Sequence, residues 1–291
     1  MKLLRLVGIG VVCVALSSCG ERFTKRISMG MVTGWAEGNA MTMVTQAYLT
    51  EKGYHVVTQK AAPNLLLASM DNGDTDIFMN VWLPTTHGEK VAPFDKIRSA
   101  GINYEGAQLG LVVPTYVDIE TIEELNDHRA QFGGKIVGIE RGTGMAAYTD
   151  SVLIAYALDY EQLNSSMVAM ASELQKAVDE DRWIVVTGWE PHWLFGRFDL
   201  KFLEDPKKIY GDAEHIETYV REDLDVDFPD VYRFLEHAFF EKEVMSDLLM
   251  KMEASDNQKE TAKQWVEEHR ELVESWWRGG DRSTPKTIPS V

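Results

Sequence analysis

Asp76-Ile77-Phe78-Met79-Asn80-Val81-Trp82-Leu83-Pro84-Thr85-Thr86-His87 is the stretch that decides how the chain is read. Residues 76–79 form an apolar run of the length of a short buried strand. Pro84 has no N–H to give a sheet, so the strand is expected to end near Trp82. An indole and an imidazole then stand just past a strand end, where open α/β sheets bind small molecules. A tryptophan in that position also serves as ordinary core packing. Repetition favours a site: Trp35 and Trp189 also follow apolar runs, each before a polar or helix-starting turn.

Upstream of this stretch, residues 27–32 alternate as a strand does. Residues 33–38 read as a turn, and a helix follows to Lys52, closed by Gly53. Val56-Val57 is the next strand, and residues 65–70 are helical up to Asn72-Gly73. The pattern is β-α-β-α-β, that of a parallel sheet wound with helices.

Downstream, Asn103-Tyr104-Glu105-Gly106-Ala107 reads as a loop. Residues 109–113 form a strand ending at Pro114, where the chain crosses to a second lobe. There the logic repeats: a short helix over 122–125, a strand over 135–139, and a helix opened by Gly142-Thr143-Gly144 and running through Leu158. Residues 174–178 are helical, and a strand over 183–187 leads into Gly188-Trp189-Glu190-Pro191-His192-Trp193. Residues 216–220 alternate and cross back. Residues 228–277 carry helical apolar spacing at Phe234, Phe239, Leu248, Leu249, Met252, Trp265 and Val266.

At 291 residues the chain can bury one large core or two smaller ones, and 45% hydrophobic with 26% charged residues is globular composition. A net charge of −17 argues against nucleic acid as a partner, because phosphate binding needs a basic face. Residues 1–19 read as a leader. Lys2 and Arg5 form its charged start, and residues 6–16 are an apolar segment too short to span a bilayer. Leu16-Ser17-Ser18-Cys19 resembles a bacterial lipobox, in which the cysteine becomes the lipidated first mature residue. Its removal would take Cys13 away, and with the remaining Cys19 acylated neither a disulfide nor a cysteine metal site is expected.

Three indoles converging on one cleft make an aromatic cage, which attracts a quaternary ammonium through the ring quadrupoles. Gly142-Thr143-Gly144-Met145 lies between a strand and a helix, and free N–H groups there favour an anion. It lacks the Lys-Ser/Thr pair of a phosphate loop and a full dinucleotide fingerprint, so a carboxylate fits better than a nucleotide. A glycine turn required only by backbone geometry gives the same pattern. His55, His87, His192 and His215 lie far apart without helical i,i+4 pairing, so no metal site and no cofactor are read. No serine sits in a nucleophile elbow. Glu37, Glu105 and Glu190 read as solvated or capping carboxylates rather than acid/base catalysts.

Gly34-Trp35-Ala36-Glu37-Gly38, Trp82-Leu83-Pro84-Thr85-Thr86-His87, Tyr104-Glu105-Gly106-Ala107, Gly138-Ile139 with Gly142-Thr143-Gly144, and residues 185–193 resemble the substrate-binding lipoproteins of glycine betaine/proline betaine ABC transporters. Lys201-Phe202-Leu203-Glu204-Asp205-Pro206-Lys207 looks like the family too. The resemblance runs from about Ile27 to Trp265. It implies a two-lobed α/β fold of the periplasmic-binding-protein type (type II) with the ligand in the interlobe cleft. It also implies that Trp35, Trp82 and Trp189 hold a trimethylammonium group, while His87 and the backbone N–H groups of Gly144 and Met145 hold a carboxylate. Three departures stand out: Glu140-Arg141 where an Asp-Pro pair is frequent, Met145 where Ile is common, and Asn39 where an apolar residue is usual.

The expected organisation is a leader over 1–19 ending at the lipidated Cys19, a tether over 20–26, and a tail over 281–291. Lobe 1 takes 27–113 with 217–280, and lobe 2 takes 114–216. The expected function is capture of glycine betaine or a related betaine outside the cytoplasm, for delivery to a membrane permease by a lipid-anchored, non-enzymatic protein. A choline- or carnitine-binding protein is the alternative within the class, with Glu37 as a secondary contact receiving a hydroxyl. A small-molecule enzyme on the same fold and a ligand-free lipoprotein adaptor are the rivals outside it.

Overall fold

The computed structural model describes residues 25–280. The leader, Cys19 and the tail over 281–291 lie outside the described residues. Strands and helices alternate through the first half: β1 (Arg26–Met31), α1 (Ala36–Glu51), β2 (His55–Lys60), α2 (Pro63–Asp71), β3 (Ile77–Leu83), α3 (Gly88–Val91) and β4 (Ile97–Pro114). After a 3-10 turn at Ile122–Leu125 come β5 (Lys135–Gly138), α4 (Gly144–Ala155), β6 (Glu161–Asn164), α5 (Met167–Asp179), β7 (Val186–Glu190), α6 (Leu194–Arg197), β8 (Leu200–Phe202) and β9 (Glu214–Arg221). Five helices close the chain: α7 (Leu224–Asp227), α8 (Pro229–His237), α9 (Lys242–Glu253), α10 (Gln258–Glu268) and α11 (Arg270–Arg278).

The strands run in the order β2-β1-β3-β9-β4-β7-β5-β6, with β8 paired to β4. β1 is parallel to both β2 and β3, as the β-α-β-α-β reading requires. In the second half β5 is parallel to β6 and β7. The antiparallel strands β4 and β9 join the two halves. Residues 97–107 of β4 pair with β9, and residues 108–112 pair with β7. One strand thus belongs to both lobes, and its partner changes before Pro114.

The expected loop over 103–107 is therefore strand. Glu105-Gly106 has turn chemistry, and Gly106 does sit at φ +77°. Three register shifts within the β4–β9 pair absorb the irregularity, so the ladder continues past it. The second Trp-bearing strand also starts later than expected, at Val186 rather than Trp183, and extends to Glu190. Trp183 instead packs beside His128 and Phe132. Trp82 and Trp189 hence lie inside strands, near their ends; only Trp35 follows its strand, as the N-cap of α1. Helix α4 stops at Ala155 rather than Leu158, and Ala157 turns the chain at φ +49°.

The interior is built on α1, whose Met41, Val44, Tyr48 and Leu49 are buried beneath the C-terminal helices. Tyr48 stacks on Phe234 of α8 at 5.2 Å, and Trp265 of α10 is fully buried. This packing holds α1, whose N-terminal end carries the first tryptophan motif. No helix among the described residues is long and apolar enough to cross a membrane.

Candidate functional site

Three tryptophans from separate elements meet through one network. Trp35 stacks on the His87 ring, centroids 5.5 Å apart and planes 20° apart. His87 and Trp82 bond reciprocally across the turn after β3: the His87 N–H donates to the Trp82 carbonyl, and the Trp82 N–H donates to His87 Nδ1, both at 2.9 Å. The Trp82 indole Nε1–H donates to Asn80 Oδ1 at 2.8 Å. Asn80 Nδ2 donates to Glu37 Oε1 at 3.0 Å, and the Trp189 Nε1–H reaches Glu37 Oε2 at 3.3 Å from the other half of the sheet. Trp82, Trp189, His87 and Glu37 are buried and Trp35 is half-buried.

The Trp82–His87 bond fixes the imidazole tautomer. Nδ1 accepts, so the proton sits on Nε2. Nε2 finds no partner among the described residues, although the ring is buried. Burial, with Lys90 nearby, pushes the His87 pKa down to about 3. The ring is a neutral donor at physiological pH. A buried unpartnered donor costs about 1–3 kcal/mol, which an incoming acceptor offsets.

The loop that carries His87 is held by a residue far along the chain. Glu214 of β9 accepts the Thr85 N–H at 2.7 Å, the Thr86 N–H at 2.8 Å and the Thr86 hydroxyl at 2.5 Å. Thr86 faces the start of α4: a Cβ on Gly144 would lie 3.9 Å from its methyl group. At that helix start the cap is selective. Thr143 Oγ1 accepts from the Ala146 N–H, the third of the helix. The Gly144 and Met145 N–H groups have no acceptor among the described residues. Two aligned donors and the positive end of a helix dipole favour negative charge beside Thr86. Arg141 is exposed, on the solvent side of this turn.

Glu37, expected as a secondary ligand contact, is engaged within the protein. Each of its oxygens already receives an N–H group, Oε1 from Asn80 and Oε2 from Trp189. Burial raises its pKa, and the hydrogen bonds from Asn80, its own backbone N–H, Trp189 and Trp82 oppose that rise without cancelling it. Both oxygens face donors, which suits the ionised, acceptor-only form.

Sequence reading missed Asn80, Glu214 and His192. Asn80 had a signal: it is the one polar side chain inside the buried run Ile77–Leu83. Glu214 had none, because its partners are 128 and 129 positions away. His192 packs on Trp189 at 4.5 Å and has its Nδ1 occupied by the Leu194 N–H. Burial lowers its pKa to about 3, so it brings no charge beside the indole. No group of three or more His, Cys, Asp or Glu side chains among the described residues is arranged to hold a metal ion.

The family model for the substrate-binding domain of the ABC-type glycine betaine transport system matches residues 25–268. The glycine betaine/carnitine transport binding protein GbuC of Listeria monocytogenes is 41% identical over 155 residues, which is 52% of this chain and 52% of that protein. The alignment thus spans about half the length of this relative. Among solved structures, lactococcal OpuAC in its closed, liganded conformation with glycine betaine superposes with a TM-score of 0.79 at 31% identity, over 87% of this chain and 99% of that one. The glycine betaine/L-proline-binding protein ProX of Borrelia burgdorferi gives the same TM-score and identity over 87% of this chain and 96% of its own.

Proposed function

This chain belongs to the family of substrate-binding domains of ABC-type glycine betaine transport systems, and from that premise we propose that it captures glycine betaine or a closely related betaine and delivers it to a membrane permease. The family is one of transport binding domains, not of enzymes, and binding proteins of importers act outside the cytoplasm. The proposed pocket has two ends. Trp35, Trp82 and Trp189 surround the trimethylammonium group, and His87 Nε2–H with the Gly144 and Met145 N–H groups receives the carboxylate. Two structures of glycine betaine- and glycine betaine/L-proline-binding proteins superpose over most of the chain and support this reading.

The observation that carries it is a set of unpartnered donors, on His87 and at the helix start that faces the adjacent Thr86. Among the described residues His87 Nε2 has no acceptor, and neither do the two N–H groups opposite Thr86. Three donors suit a carboxylate, which accepts charge-assisted hydrogen bonds. A hydroxyl cannot satisfy them all, which costs on the order of 1–3 kcal/mol. Calorimetric titration of the purified chain with glycine betaine, proline betaine, choline and carnitine is expected to rank glycine betaine above choline by about tenfold or more. His87→Ala is expected to narrow that gap, because the hydroxyl ligand loses less than the carboxylate. Choline binding as tightly as glycine betaine to the unmodified chain would rule out this assignment of the anion end.

The two lobes in this reading are 27–113 with 217–280, and 114–216, with ligand contacts supplied by both. Binding then favours the closed arrangement. The membrane attachment we propose rests on Leu16-Ser17-Ser18-Cys19 after a short apolar segment. Cys19→Ala is expected to abolish incorporation of labelled fatty acid and to release the protein from the lipid-modified fraction. Retained label in that variant would disprove the anchor.

A further inference from the structure

Glu37 stands where the two halves of the site meet. Asn80 Nδ2 reaches its Oε1 from β3, and Trp189 Nε1 reaches its Oε2 from β7. Asn80 also accepts the Trp82 indole N–H through Oδ1. One buried carboxylate therefore terminates, directly or through one amide, the N–H groups of two of the three tryptophans. No lysine or arginine pairs with it among the described residues. An ion buried without a counter-ion is costly to a fold. Here the carboxylate, with an N–H donor on each oxygen and no cation paired with it, lies beside indoles whose faces would receive a cation.

We propose that Glu37, held by Asn80, is a positioning and specificity-determining residue: it latches Trp189 to the first lobe and enriches the indole faces in electron density, so that the cage selects a cationic head group over an uncharged one of the same shape. The inference rests on the betaine reading above. Its physical basis is twofold. A hydrogen bond donated to an anion polarises the donor group and its ring. Attraction of a cation to an indole face is electrostatic and scales with the ring's negative potential. The N–H bonds also fix the rotation of Trp82 and Trp189.

The test compares two ligands on the full chain. Glycine betaine carries (CH3)3N⁺–CH2–COO⁻. 3,3-Dimethylbutanoate carries (CH3)3C–CH2–COO⁻, the same shape and the same carboxylate without the positive charge. In Glu37→Gln the preference for betaine over this isostere is expected to shrink about tenfold, almost wholly through weaker betaine binding. The indole N–H resonance of Trp189 is expected to move upfield as its anionic acceptor is lost. Glu37→Asp, which keeps the charge, is expected to restore most of the preference. Trp189→Phe keeps an aromatic face without the N–H, and is expected to reduce the preference if Glu37→Gln does not fold. Equal losses for both ligands in Glu37→Gln would show a packing role only and overturn the inference, as would an unchanged preference. Failure of the unmodified chain to bind any betaine would overturn the reading of the site itself.

Discussion

Gly38→Ala is expected to weaken betaine binding roughly a hundredfold and to lower the melting temperature by roughly 5–10 °C. Gly38 is the third residue of α1, and local propensity favours alanine there by up to about 1 kcal/mol. Tertiary structure reverses the sign. A Cβ at Gly38 would lie 2.3 Å from Asn80 Nδ2 and 2.6 Å from Asn80 Cβ and Cγ. The near end of the asparagine cannot swing away, because it is anchored in β3. Overpacking of this kind costs about 1–3 kcal/mol. Displacing Asn80 also breaks its bond to the Glu37 carboxyl, about 1.5–3 kcal/mol, and its neutral bond to the Trp82 indole, about 0.5–1.5 kcal/mol. The double variant Gly38→Ala with Asn80→Ala relieves the clash, so it is expected to regain part of the stability without regaining affinity. Thermal unfolding and titration of both variants measure these effects. A Gly38→Ala protein with unchanged melting temperature and affinity would remove Asn80 from the account.

Trp82→Ala has the second large effect. The side chain is buried, and its backbone faces Ile216 of β9 across the sheet. Removing it costs about 3–5 kcal/mol of stability through lost burial and the cavity left behind. On the ligand side it deletes one face of the proposed cage and leaves Asn80 Oδ1 without its donor, for a further loss of about 1–3 kcal/mol in binding. Trp82→Phe is expected to lie between the two, because it keeps a π-face but not the N–H. Circular dichroism establishes that the variants fold, and quenching of intrinsic fluorescence by ligand reports binding in those that do. A folded Trp82→Ala protein that binds betaine as tightly as the unmodified chain would refute the cage.

The amino-acid sequence by itself determined the elements whose causes are local. Alternation and apolar runs marked β1, β2 and β3, and Gly53 and Gly73, at φ +88° and +80°, ended α1 and α2 as turn chemistry dictates. Gly-Thr-Gly opened α4, with Thr143 as its cap. The tryptophan motifs were legible as short strings, and with them the family. Where local signals competed with a long ladder the reading failed. Glu105-Gly106 looked like a loop, and pairing with β9 held it in β4 through bulges. Only the tertiary structure decided how the residues of the candidate site are held. The His87 tautomer follows from a backbone N–H bond, the Thr85-Thr86 loop from Glu214 more than a hundred residues later, and the sign of Gly38→Ala from Asn80. Nothing local to Glu37 marks the Trp189 indole, 152 positions away, as its donor. Periodicity and capping act over a few residues, and they fix elements. A hydrogen bond between distant residues depends on how those elements pack, and no spacing in the chain encodes its partner or its length.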